Sequence, residues 1–114
     1  MNDTLKEQTN KNEITVIELI QTEGQFETHK LNLCAGKYQF RVVNKNVDKD
    51  LGFVIQKEED KNSNVMETAT PNSFTSAYIK MGKAQYTGIV ELETGNYIYS
   101  CPLNPTPHYT ITVK

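Results

Sequence analysis

The chain has no tryptophan, and cysteine and histidine occur only twice each. Two histidines leave little for acid–base chemistry, and no nucleophile, base and oxyanion-stabilising group assemble into a recognisable arrangement, so an enzyme is the least supported class. The formal net charge is −2 and no basic block is present. Nothing therefore points to nucleic acid or an anionic membrane as a partner. No apolar run is long enough to span a bilayer. Met1 is followed by Asn2 and Asp3 rather than by a basic stretch and an apolar core, so no signal peptide is read at the N-terminus.

What is present suits a small β protein. The 114 residues fit one domain, and 37% apolar content with six tyrosines is compatible with strands. Residues 1–12 are polar, carry three asparagines, and read as a flexible tail. Residues 13–114 read as the domain. "ITVIELIQ" (14–21) is β-branched and reads as a first strand, and "QFETHKLNL" (25–33) as a second extended piece. In "CAGKYQFRVVN" (34–44) a turn at Ala35-Gly36 leads into strict alternation, with Tyr38, Phe40 and Val42 on one face. "LGFVIQ" (51–56) continues the pattern. The charged stretch 57–72 reads as an exposed excursion. In 73–82 the spacing of Phe74, Tyr78 and Met81 predicts a short helix, capped by Ser73 and ended by Gly82. Strand 84–93, a tight "TGN" turn and "YIYSC" (97–101) read as a hairpin, and "HYTITVK" (108–114) as the last strand.

Seven or eight short strands with one excursion predict an all-β fold, a two-sheet Greek-key β-sandwich. The inward set is Tyr38, Phe40, Val42, Tyr97, Tyr99, Ile111 and Val113. An immunoglobulin-like or fibronectin-like domain fits the same periodicity.

The stretch "YSCPLNPTPHYTITVK" carries the chemistry. Tyr97, Tyr99 and Cys101 share one strand face, so an inward Tyr99 implies an inward thiol. Three prolines stiffen the loop from Cys101 to His108. A thiolate and an imidazole are two of the three strong ligands of a blue-copper site. A packing cysteine and a histidine on a loop edge account for the same residues. Asn104 and Tyr109 near this loop are candidates for shaping a surface. His29, flanked by polar residues, reads as a solvated strand residue.

The segments "AGKYQFRVVNKNVDKDLGFVIQ" and "LETGNYIYSCPLNPTPHYTITVK" together resemble a cupredoxin, of the plastocyanin- and azurin-related exported bacterial kind. The resemblance covers residues 14–56 and 84–114, in order. It implies a cupredoxin-like sandwich, copper as cofactor with Cys101 and His108 as metal ligands, electron transfer with a redox protein partner, a monomer, and a periplasmic, exported or membrane-tethered location. This sequence departs from the family pattern at two ligands. The segment "NVDKDLGF" holds Lys49 where the first copper histidine is expected, and no methionine follows His108 to act as the weak axial ligand. Asp48 and Asp50 are hard donors poorly matched to copper–thiolate, while Met66 and Met81 are soft donors in the excursion. Cys101, His108 and Lys49 are expected at one end of the sandwich with Cys34 at the other, which leaves two free thiols. The alternative function is a metal-free binding or interaction module on the same fold.

Overall fold

The computed structural model describes residues 13–103 and 106–114. The stretch 1–12, expected as a tail, and Asn104 lie outside the described residues.

Nine strands appear among the described residues: β1 (Ile14–Thr22), β2 (Gln25–Phe26), β3 (Lys30–Leu33), β4 (Gly36–Asn44), β5 (Val54–Lys57), β6 (Ala84–Tyr86), β7 (Val90–Leu92), β8 (Gly95–Ser100) and β9 (Tyr109–Val113). They form two sheets. One runs β2-β1-β4-β6, with β7 also pairing β4, and the other runs β3-β9-β8-β5. The pairs β1–β4 and β3–β9 are parallel. The remaining pairs are antiparallel, β8 with β9 in the register Tyr99↔Tyr109 and Gly95↔Val113.

The period-two reading locates the core. All seven residues expected inward are buried, Tyr97 being the most exposed of them at 5%. The centre is an aromatic cluster contributed by both sheets. Phe26 meets Tyr99, Tyr109 and Phe53 edge-on, at centroid distances of 5.2, 5.8 and 6.0 Å, the geometry that ring quadrupoles favour. Three of the buried tyrosines have bonded hydroxyls. Tyr38 donates to the Cys34 carbonyl, Tyr99 donates to the Thr28 carbonyl, and the Tyr97 oxygen accepts from the Glu93 N–H.

Three local readings are corrected. Residues 73–82 form no helix: Ser73 is fully buried and its hydroxyl serves Ile55, accepting from that residue's N–H and lying 3.3 Å from its carbonyl. Thr75 bridges to Thr87 and Ile79 to Leu51. Sheet-like tertiary bonds thus take the backbone groups that a helix would have used. Strand 84–93 is split at Thr87, whose N–H donates to the Phe40 carbonyl while its hydroxyl accepts from the Phe40 N–H. And β7 does not pair with β8. β7 lies beside β4, so the turn at 94–95 carries the chain from one sheet to the other. In the charged excursion the structure has a 3-10 turn at Glu58–Asp60 and one helical turn, α1 (Val65–Thr68), N-capped by Asn64.

Two consequences are measurable. Burial, with a smaller contribution from neighbouring Tyr109, raises the Tyr99 pKa well above the tyrosine range. The unfolded chain then loses that proton first, so stability is complete below about pH 10 and falls as pH rises above it. Tyr99→Phe should flatten this alkaline slope in denaturant titrations and leave a residual slope from Tyr38, whose pKa burial also raises. An unchanged slope would contradict the assignment. Separately, Gln21 is fully buried and neither end of its amide has a hydrogen-bond partner among the described residues. Gln21→Met should therefore stabilise the fold, by about 1–2 kcal/mol in chemical denaturation, because it removes an unpaid desolvation cost at similar volume. Destabilisation would show that the amide is satisfied in solution.

Candidate functional site

The site forms where β8 ends. Alternation carries the inward set Tyr97 and Tyr99 on to Cys101, which is 3% exposed. Its sulfur accepts a hydrogen bond from the Gly52 N–H at 3.3 Å. Its own N–H donates to the Thr106 hydroxyl at 3.2 Å, which ties the start of the proline loop to its end. Cys101 and Cys34 are not joined in a disulfide, as expected.

Asn44, at the end of β4, holds the opposite wall. It is fully buried. Its amide nitrogen donates to the carbonyls of Lys49 and Ile79, each at 3.0 Å, and its amide oxygen accepts from the Val47 N–H at 2.9 Å. The main chains of Leu51 and Ile79 bond reciprocally at 3.0 and 2.8 Å. These bonds deliver the Leu51–Gly52 peptide to the sulfur, and Leu51 itself is fully buried. Lys49, expected at this end, lies on the loop that Asn44 pins. The backbone set against the thiol belongs to Gly52, three residues further on. The Lys49 side chain is half-exposed, with its ammonium 3.9 Å from Glu23 Oε2.

Both histidines are exposed. His108 precedes inward Tyr109, and alternation turns neighbouring side chains to opposite faces. His29, expected to be a plain solvated residue, is exposed but stacks on Tyr109 with centroids 5.0 Å apart and planes 18° apart. Parallel pairing of β3 with β9 brings it there, a long-range contact that no local pattern announces. Asp50 is engaged by Lys80 at 2.9 Å. Among the described residues, no three or more His, Cys, Asp or Glu side chains gather in a group able to hold a metal ion.

Beside the thiol lies an open recess of about 560 Å³. Phe53, Met66, Phe74, Tyr78, Pro102 and Leu103 contribute to its lining, and no charged side chain does. Leu103 packs over Gly52: a β-carbon placed on that glycine would stand 3.6 Å from Leu103 Cγ and Cδ1. Two further grooves, of about 580 and 610 Å³, lie near the start of β8 and are lined by charged residues including Lys57, Glu59 and Glu93.

With this geometry established, the chain was compared with known proteins. Among solved structures it is similar to auracyanin A, a blue copper protein of the green thermophilic photosynthetic bacterium Chloroflexus aurantiacus. The TM-score is 0.71 at 15% identity, over 90% of this chain and 100% of that one. The fold is that of the cupredoxins. Auracyanin B superimposes with a TM-score of 0.66 at 18% identity, over 100% of this chain and 93% of the other. The dithionite-reduced auracyanin of Roseiflexus castenholzii gives 0.67 at 16%, over 88% and 97%. No protein-family model matches the chain, and no curated protein does. Among the described residues no helix of this cupredoxin fold is long and apolar enough to cross a membrane.

Asn44 is the residue on which the site's wall depends. Asn44→Ala should cost about 2–4 kcal/mol in denaturant unfolding, because it removes three hydrogen bonds in a buried setting, leaving the Val47 N–H without its acceptor and the Ile79 carbonyl with the Leu51 N–H alone. It should also raise amide exchange at Val47 and Gly52. A loss below about 0.5 kcal/mol would show that the loop holds itself.

Proposed function

We propose that this chain is a cupredoxin-fold binding module whose working surface is the apolar recess beside Cys101. The observation that carries the reading is a clustering of exposed apolar side chains. Met66 is 75% exposed, Tyr78 60%, Leu103 43% and Phe74 38%, and all four line one uncharged recess. Single exposed apolar residues are ordinary, but a contiguous group around a concavity marks a contact site. The chemistry of this lining suits an apolar or aromatic segment of a protein partner. The rigid sandwich presents it at little ordering cost, which favours binding.

A second reading is a copper-binding, electron-transfer protein of the kind that the names of the structural neighbours indicate. The fold, the inward thiol of Cys101 and its bond from Gly52 favour it, with His108 as the further ligand at the other end of the loop. A periplasmic, exported or membrane-tethered location accompanies either reading, by likeness of fold.

A photo-crosslinking side chain at position 78, in the cells that make the protein, tests the binding reading. It should give one discrete adduct, absent when the same probe replaces Lys30 on β3. Phe74→Asp should abolish the adduct while changing unfolding free energy by no more than about 0.5 kcal/mol, because Phe74 is partly exposed. Equal adducts from both probe positions, or an adduct indifferent to Phe74→Asp, would refute the recess as the contact site.

A further inference from the structure

We infer that Cys101 is a sealed thiol, and that Leu51 and Leu103 hold the two places beside it that a blue-copper centre needs for imidazoles. Such a centre sets one thiolate and two imidazoles in a trigonal plane around copper, with a weak axial ligand. The donors present here do not fit it. The thiol is in place and accepts the Gly52 N–H, a hydrogen bond of the kind that tunes a copper thiolate. Two imidazoles do not join it: among the described residues no three His, Cys, Asp or Glu side chains gather in one group. His29 lies on Tyr109 and His108 is exposed, while the Asp50 carboxylate is engaged by Lys80 and is a hard donor in any case.

Two independent observations identify what lies beside the sulfur instead. The bonded N–H belongs to the Leu51–Gly52 peptide, so Leu51 is the adjoining side chain on that wall, and it is fully buried. On the recess side, Leu103 and Pro102 carbons lie 3.6 Å from a β-carbon built on the same glycine, so the two side chains cover Gly52, whose N–H meets the sulfur. The two notable residues at the ends of the loop thus differ in exposure, the thiol buried and His108 exposed. Cys101 packs as a small hydrophobe in the core cluster that also contains Leu51, Phe53 and Tyr109.

Thiol labelling tests the seal. In full-length chain with Cys34→Ser, Ellman's reagent should find no reactive thiol under native conditions and one in denaturant. Rapid native labelling would overturn the inference. Leu103 is 43% exposed, so Leu103→Ala should leave the denaturation midpoint in place and speed labelling of Cys101 by about tenfold, since thiol reactivity depends on access. An unchanged rate would overturn the role of Leu103 as cover.

Copper(II) tests the ligand places. The wild-type chain should develop no intense visible thiolate-to-copper band. A band that Cys101→Ala abolishes would mean that other residues complete the centre, against the inference. Leu51→His combined with Leu103→His should develop the band and lose it on adding Cys101→Ala. A folded double variant without it would overturn the two assignments, as would a band created by Lys49→His alone. If the double variant fails to fold, the labelling of Leu103→Ala decides. Failure of the recess to bind a partner leaves all of these outcomes unchanged.

Discussion

The buried amide of Asn44 is the constraint on which the working end of the molecule depends. Its side chain makes three hydrogen bonds, two donated and one accepted. Its own backbone adds two more, donating to the Lys83 carbonyl and accepting from the Gly82 N–H, each at 2.9 Å. A polar side chain without exposure is tolerable when its bonds are made inside. Asn44 meets that condition and joins β4, the 45–50 loop and the 79–83 segment. Its Cα partner on β1, Gln21, is equally buried and makes no side-chain bond among the described residues. The contrast shows how unevenly one core can satisfy two amides placed side by side.

From Asn44 the dependence runs outward. The pinned loop sets Leu51 against Ile79, and the Leu51–Gly52 peptide then meets the sulfur of Cys101. Gly52 in turn lies under Leu103, and Leu103 is one rim of the apolar recess. The thiol and the recess are thus two faces of one packed wall. Gly52 joins the two, with its N–H on the sulfur and Leu103 over its α-carbon.

The cupredoxin sandwich is shared with blue copper proteins at 15–18% identity, yet fold and site are separable. The sandwich requires alternating apolar side chains and two sheets, and this chain supplies both. A copper centre requires particular donors at particular places, and side chains at those places can change without disturbing the ladders behind them. A leucine at position 51 even suits the scaffold, because it extends the hydrophobic core to the end of the sheet.

Much of this was legible in the sequence. The all-β character, the inward faces of β4, β8 and β9, the buried thiol and the two unjoined cysteines all follow from a period of two, which is local and survives any arrangement of the strands. Tertiary structure decided the rest. Ser73, Phe74, Tyr78 and Met81 have helical spacing, but Ile55, Thr87 and Leu51 claim their segment's bonding groups from far along the chain. The turn after β7 looks like a hairpin, but β4 takes β7 as its partner and β8 crosses to the other sheet. His29 looks solvated until β3 pairs with β9 and lays it on Tyr109. And the N–H that meets the sulfur is that of Gly52, on a loop whose path Asn44 fixes. Register in an irregular loop has no periodic signal. A displacement of two residues leaves the same composition and exchanges an exposed ammonium for a buried isobutyl group.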